Sequence, residues 1–369
     1  MPKVSVVIAS YQHEKFVRQC IESVLTQSFT DFEIVVTDDG SKDGTADVIR
    51  SIEDPRIQLA VFPENRGACI AMNDAIARAT GTYVAILNSD DYFLPGKLEH
   101  QVRVLDQRPD LAAVFALPTI VDERGAPLDD HPLLKVFQAK SQTRHQWLRH
   151  FFFHGNALCH PTLMIRRQCY AELGKYDPRL AQLPDFDMWI RLCGRYEFEV
   201  LPDRMTAFRI LDNEANASGS RPETHARTTW EFGRLLDTYT TMSETDFRLV
   251  FADDLSHFGY TDLPMDVALA RLALKINIPC HQLFGLNLLH DAVGRGLTGI
   301  DTRELSELAK IVDPFNVQGR LRAAELKKSL AKTGFNNLTQ WTAKNYRGLA
   351  PLRFVVRQAR RFASRMGVT

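Results

Sequence analysis

Short apolar runs alternate with segments whose apolar residues recur at helical spacing over residues 1–115, and this alternation restricts the fold more than any other feature. The runs are Val4–Ile8, Phe32–Val36, Ile57–Phe62, Tyr83–Leu87 and Leu111–Leu117. Between the first two, Phe16, Val17, Cys20, Ile21, Val24 and Leu25 mark a helix over residues 13–27. Asp43 and Thr45 stand where caps for a second helix through Ile52 belong, residues 68–79 make a third stopped by Gly81, and Pro95 starts a fourth reaching Gln107. Strands alternating with helices require βαβ units and a mostly parallel sheet, so residues 1–115 are expected to form a doubly wound α/β unit. Tyr83–Leu87 is apolar without alternation, as a strand covered on both faces must be.

Beyond Pro118 the alternation weakens. A smaller α+β region is expected over 116–212, with His160–Ile165, Gly174–Asp177 and Leu183–Trp189 as its markers. Asn, Ser and Gly then accumulate over 213–222 as a linker, and helical patterns dominate the region 213–369. Lys plus Arg equals Asp plus Glu at 45 each, which leaves no overall field to recruit nucleic acid. The six cysteines are scattered without a C-x-x-C pair, a pattern for neither zinc nor a disulfide framework. Met1-Pro2-Lys3 runs directly into the first strand, with no secretory signal, and no apolar run approaches the ~18 residues of a membrane span. A cytoplasmic protein is expected.

Three acidic clusters carry the chemistry: Asp38-Asp39, Asp90-Asp91 and Asp185/Asp187. The first two fall at the carboxyl ends of parallel strands, the edge at which open α/β sheets hold ligands. Adjacent carboxylates repel, so Asp90-Asp91 calls for a cation or generous solvation; a hard divalent metal carrying phosphates meets that need, and an acidic turn before the Pro95 helix is the plainer alternative. The Gly-x-Gly-x-x-Gly fingerprint and the Gly-Lys-Ser/Thr phosphate loop are both missing, which argues against a dinucleotide fold and a nest of backbone N–H groups as the phosphate holder.

Together, Val4–Tyr11, Ser23–Ser28, Asp38–Thr45, Asn65-Arg66-Gly67 and Asn88–Asp91 resemble the family-2 glycosyltransferases of the GT-A fold, over about residues 3–212. The resemblance implies an inverting, metal-dependent transfer of a sugar from a nucleotide diphosphate sugar, UDP-linked, to a hydroxyl of a glycan or lipid-linked acceptor, in surface polysaccharide synthesis, with Mn²⁺ or Mg²⁺ as cofactor. It places Asp39 on the nucleobase with Ser10 and Tyr11 lining that pocket, Asp90 near the ribose, Asp91 on the metal and Asp185 as the catalytic base. Asp187 is the second candidate base, or an N-cap for the helix carrying Met188, Trp189 and Leu192.

His160 faces the acceptor or is structural; Trp189 and Phe186 stack on a sugar or fill the core. Arg209 holds phosphate or pairs with an acid. Two departures from the family pattern bear on donor choice and turnover: Pro184 replaces an acid before the base, and Met72 replaces an arginine, for which Arg66 is a substitute. They leave open a non-catalytic nucleotide-sugar-binding or scaffold protein. A phospho-receiver domain is disfavoured, since its acid pair belongs after the first strand, where Ser10-Tyr11 stands. After Glu325 only basic charges follow, with an apolar stripe from Leu352 to Ala363, so peripheral contact with an anionic membrane stands beside a docked helix.

Overall fold

The computed structural model describes residues 1–211, 216, 219, 221–296 and 301–311. The chain divides into two compact units, Met1–Ala309 and Lys310–Thr369; the basic segment after Glu325 lies outside the described residues. In chain order the elements begin β1 (Val4–Ser10), α1 (Val17–Leu25), β2 (Phe32–Asp38), α2 (Thr45–Arg50), β3 (Ile57–Val61), α3 (Ala68–Arg78), β4 (Tyr83–Asn88), β5 (Tyr92–Phe93), α4 (Lys97–Gln107) and β6 (Leu111–Val121). They continue with α5 (Leu133–Val136), α6 (Arg144–His154), β7 (Met164–Arg166), α7 (Gln168–Leu173), α8 (Pro184–Cys193) and β8 (Glu197–Arg209). The remaining helices are α9 (Pro222–Leu236), α10 (Glu244–Val250), α11 (Ala252–Phe258), α12 (Met265–Leu274), α13 (Pro279–Gly294) and α14 (Thr302–Ile311). No helix of the described residues is long and apolar enough to cross a membrane.

The strands form one sheet in the order β3-β2-β1-β4-β7-β6-β8-β5. From β3 to β4 all pairs are parallel, as the βαβ alternation requires. Beyond β4 the sheet is mixed: β7 runs antiparallel to both β4 and β6, β6 and β8 are parallel, and β5 is antiparallel to β8. The short β7 comes after β6 in the chain yet sits between β4 and β6, an insertion that alternation alone does not reveal.

Both faces are covered, which accounts for the unbroken apolar runs. Along β1, Val4, Val6 and Ile8 pack with Cys20, Ile21 and Val24 of α1 and Leu98 and Leu105 of α4. Val7 points the other way, into a cluster with Met72, Trp147, Phe152, Trp189 and Phe251. That second layer joins the sheet to helices as late as α13, through Phe284. Trp189 and Phe186 are buried core residues, and Trp189 stacks edge-on against Phe115 at 4.8 Å. All six cysteines are buried and free.

Two local details differ from the expected elements. The first helix begins at Val17 rather than near 13, because the N–H of His13 donates to Thr45 Oγ1 (2.9 Å) and that of Glu14 to Asp43 (3.2 Å). Asp43 holds the start of α2 by accepting from the Thr45 N–H (3.1 Å), while Thr45 is itself the first helical residue.

Candidate active site

The parallel register aligns Ser10 with Asp38 and Ala9 with Asn88, so the carboxyl ends of β1, β2 and β4 finish at one level. Their acidic residues do different work. Asp38 is fully buried and accepts from Ser10 Oγ (2.9 Å), the Ser41 N–H (2.9 Å) and Ser41 Oγ (2.7 Å), which fixes the turn after β2. Asp39 turns to the Asn65-Arg66-Gly67 segment, where it accepts the N–H groups of Arg66 (2.7 Å) and Gly67 (2.9 Å). Gly40 makes this approach possible. Its φ is +71°, and a Cβ there would lie 2.5 Å from the carbonyl carbon of Glu64.

At the end of β4, Asp91 is buried; its Oδ1 accepts the Arg209 N–H (2.7 Å) and its Oδ2 the Asn88 amide (2.8 Å). Burial and the neighbouring Asp90 charge hold the Asp91 carboxyl well above the usual carboxylate range. Among the described residues neither Asp90 nor Asp91 is in an ion pair, and no three His, Cys, Asp or Glu side chains converge to hold a metal unaided. Arg209 is close by but differently engaged. Its Nε donates to the Asp90 carbonyl (2.7 Å), Nη1 to the carbonyls of Glu123 (2.6 Å) and Asp122 (3.3 Å), and Nη2 to Gln19 Oε1 (2.7 Å). Its guanidinium also lies 4.9 Å from the Phe16 ring centroid. Arg209 thereby joins β4, β8, α1 and the 122–123 turn, and is 2% exposed.

Asp185 lies in the first turn of α8, behind Pro184 at a position where a ring without an N–H is tolerated. Burial raises its carboxyl pKa to about 6, against the pull of hydrogen bonds that include Asn156 Nδ2 (3.2 Å). Asp187 is inside the helix and does not cap it; the residue ahead of α8 is Leu183, and Asp187 pairs with Arg191 one turn on (2.7 Å). Cys159 stands just before the 160–162 turn. Its buried thiol is pushed up by burial and then by the charges of both Asp91 and Asp185. Under the same segment, the buried Lys97 of α4 donates to Gln101 Oε1 and the Thr162 carbonyl (2.8 Å each), and burial lowers it to about 7.

His160 bonds Tyr176 Oη (2.8 Å) and is pushed down to about 4 by burial, so it is neutral at neutral pH. Tyr11 is exposed at the mouth of the edge; Ser10 is buried behind it. Arg66 reaches the site through its main chain, while its exposed guanidinium lies 5.0 Å from the Phe62 ring centroid. Met72 packs in the core. Three residues that sequence reasoning missed shape this edge. Gln12, at φ +53°, is the one described non-glycine residue with positive φ; its N–H donates to Ser41 Oγ (2.9 Å). His13 Nδ1 shares a hydrogen bond with Ser89 Oγ (2.8 Å), and Gln19 receives Arg209. For Gln12 and His13 the available signal was a polar residue just past a strand, which does not name a partner; Gln19, inside α1, carried none.

The sequence profile described as "Glycosyl transferase family 2" matches residues 5–171. An uncharacterized glycosyltransferase of Methanocaldococcus jannaschii is 31% identical over 218 residues, covering 58% of this chain and 72% of the relative. The Bacillus subtilis protein named "Putative teichuronic acid biosynthesis glycosyltransferase TuaG" is 39% identical over 130 residues, 35% of this chain and 51% of its own. The crystal structure of S. aureus TarS 1-349 in complex with UDP-GlcNAc shares the fold, with a TM-score of 0.56 at 16% identity over 81% of this chain and 94% of that one.

Proposed function

The chain belongs to glycosyl transferase family 2, and from that premise we propose that it moves a sugar from a UDP-linked donor to a hydroxyl of a glycan or lipid-linked acceptor, with inversion, in surface polysaccharide assembly. The observation that supports this reading most is the common level of the carboxyl ends of β1, β2 and β4, which brings Ser10, Asp39 and the Asp90-Asp91 pair to one edge of the sheet. In the proposed step the acceptor oxygen bonds the anomeric carbon while the bond from that carbon to the diphosphate oxygen breaks. The bonding pair leaves with the nucleoside diphosphate, and the acceptor proton passes to Asp185. With its carboxyl at about 6, Asp185 is mostly ionised at pH 7 and still basic enough to take that proton.

Asp39, Ser10 and Tyr11 serve the nucleobase end in this reading, and Asp90 the ribose. Asp91 is the position for Mn²⁺ or Mg²⁺. The two adjacent carboxylates, in no ion pair among the described residues, repel each other, and a divalent ion, which takes one or two carboxylates while keeping sites for phosphate, offsets that repulsion. When bound, the ion stabilises the charge developing on the departing diphosphate. Asp91→Asn is expected to fold, since an amide can still accept from the Arg209 N–H, yet to lose metal-dependent donor binding and transfer. Full activity of that variant, or of the parent in excess EDTA, refutes the assignment.

At the nucleobase end, Asp39→Ala is expected to raise the donor dissociation constant about tenfold, for one lost hydrogen bond worth ~1.5 kcal/mol. Calorimetry on the folded variant measures it, and unchanged affinity removes Asp39 from the pocket. The direct test of the whole reading is a panel of nucleotide sugars with Mn²⁺, beginning with UDP-GlcNAc, scored for nucleoside diphosphate release with and without glycan acceptors. Release from one donor supports the reading; binding without turnover across the panel favours the scaffold alternative.

A further inference from the structure

We propose that Glu231 is a positioning residue for Asp185: from α9 it grips the three residues that lead into α8 and sets both the place and the charge environment of that carboxyl. The proposal rests on Asp185 being the base. The Glu231 side chain is fully buried, and each of its oxygens has two donors. The N–H of Ala181 (2.8 Å) and Arg227 Nε (2.8 Å) donate to Oε1; the N–H groups of Gln182 (2.8 Å) and Leu183 (2.8 Å) donate to Oε2. Four donors on one carboxylate satisfy it, which is how a buried charge becomes tolerable.

The three N–H groups are consecutive, and they end at Leu183, the residue ahead of α8. The turn is therefore held at every peptide by a side chain from a helix 46 positions further on than Asp185. Burial raises the Glu231 carboxyl, but the bonds from Ala181, Arg227, Gln182 and Leu183 more than offset it, so it stays ionised at neutral pH. That fixed negative charge acts on Asp185 in the upward direction. Besides Glu231, the titratable groups in electrostatic contact with Asp185 include Cys69 of α3, Cys159 before the 160–162 turn, and Tyr176 of the 174–177 loop. At neutral pH Glu231 is the charged member of that set, and Arg227, half exposed, is its cationic partner.

The experiment titrates the Asp185 carboxyl by NMR in aspartate-labelled protein, with Asp185→Asn assigning the signal. No substrate is needed for that arm. Glu231→Gln removes the charge and turns an N–H donor toward a backbone N–H; Arg227→Gln keeps the carboxylate but strips its cation. The expected midpoint falls by several tenths of a pH unit or more in Glu231→Gln and rises in Arg227→Gln. Transfer by Glu231→Gln falls roughly 10–100-fold through loss of register, with donor affinity kept. An unmoved midpoint in a folded Glu231→Gln overturns the proposal, even if activity falls, because the Glu231 charge is then no part of the environment of Asp185. Should Glu231→Gln not fold, Arg227→Gln decides alone: a rise supports the proposal and no change overturns it. Failure of the underlying reading looks different, since Asp185→Asn then transfers sugar at the parent rate whatever Glu231 does.

Discussion

Asp185→Asn is expected to lower transfer by roughly 10²–10⁴, the usual contribution of a positioned acid or base, while nucleotide-sugar affinity survives. The amide keeps the side chain's volume, and its one oxygen can still accept from Asn156 or from a backbone N–H at the start of α8. The capacity to take a proton is lost. In the parent, kcat/KM should fall as pH drops through about 6, because the carboxyl must be ionised to act. The same value has a consequence for stability. A folded-state pKa above the unfolded one contributes stability below about 4, and that contribution is lost as pH rises through about 6. Asp185→Asn should therefore melt no lower than the parent at neutral pH. Asp187→Asn, which breaks a partly buried pair with Arg191, should cost about 1 kcal/mol or less and leave turnover largely intact. If Asp187→Asn abolishes transfer while Asp185→Asn spares it, the base assignment is two residues out of register.

Arg209→Met should act on the fold, with loss of roughly 3–5 kcal/mol of stability, because several buried acceptors lose their donor at once. The guanidinium donates to three carbonyls and to Gln19, and methionine returns none of these bonds. Each buried acceptor left without a donor costs about 1–3 kcal/mol, partly relieved where water can enter. Denaturant melts of the two proteins measure it directly. Because Arg209 ties the Asp90 carbonyl to β8 and α1, donor affinity should fall in step with stability and recover in low-temperature assays. A stable Arg209→Met protein with weakened diphosphate affinity would instead make Arg209 a phosphate ligand.

The α/β half was legible because its signals are local. An apolar run without alternation needs cover on both faces, and Val4–Ile8 and Tyr83–Leu87 have it in two separate layers. Parallel strands joined by helices bring their carboxyl ends to one level, so the Asp38-Asp39 and Asp90-Asp91 pairs fall on one edge of the sheet with no knowledge of contacts. The assignment of roles to those acids came from resemblance, and the experiments above are what decide it.

What the chain's order did not contain were pairings between distant segments. Asp38 and Asp39 read alike in sequence, yet one is closed on Ser10 and Ser41 and the other on Arg66 and Gly67, because the turn at Gly40 points them apart. Arg209 read equally as a phosphate holder or as the partner of an acid, and β8 carries it to the carbonyls of Asp90, Asp122 and Glu123. Glu231 sat unremarked on a helical repeat, and only the packing of α9 on the 181–183 turn made it a neighbour of Asp185. The physical reason is common to all three. Periodicity reports which face of an element is buried, whereas the partner of a buried polar group is chosen by chain closure over dozens of residues, where every donor and acceptor removed from water must find its match.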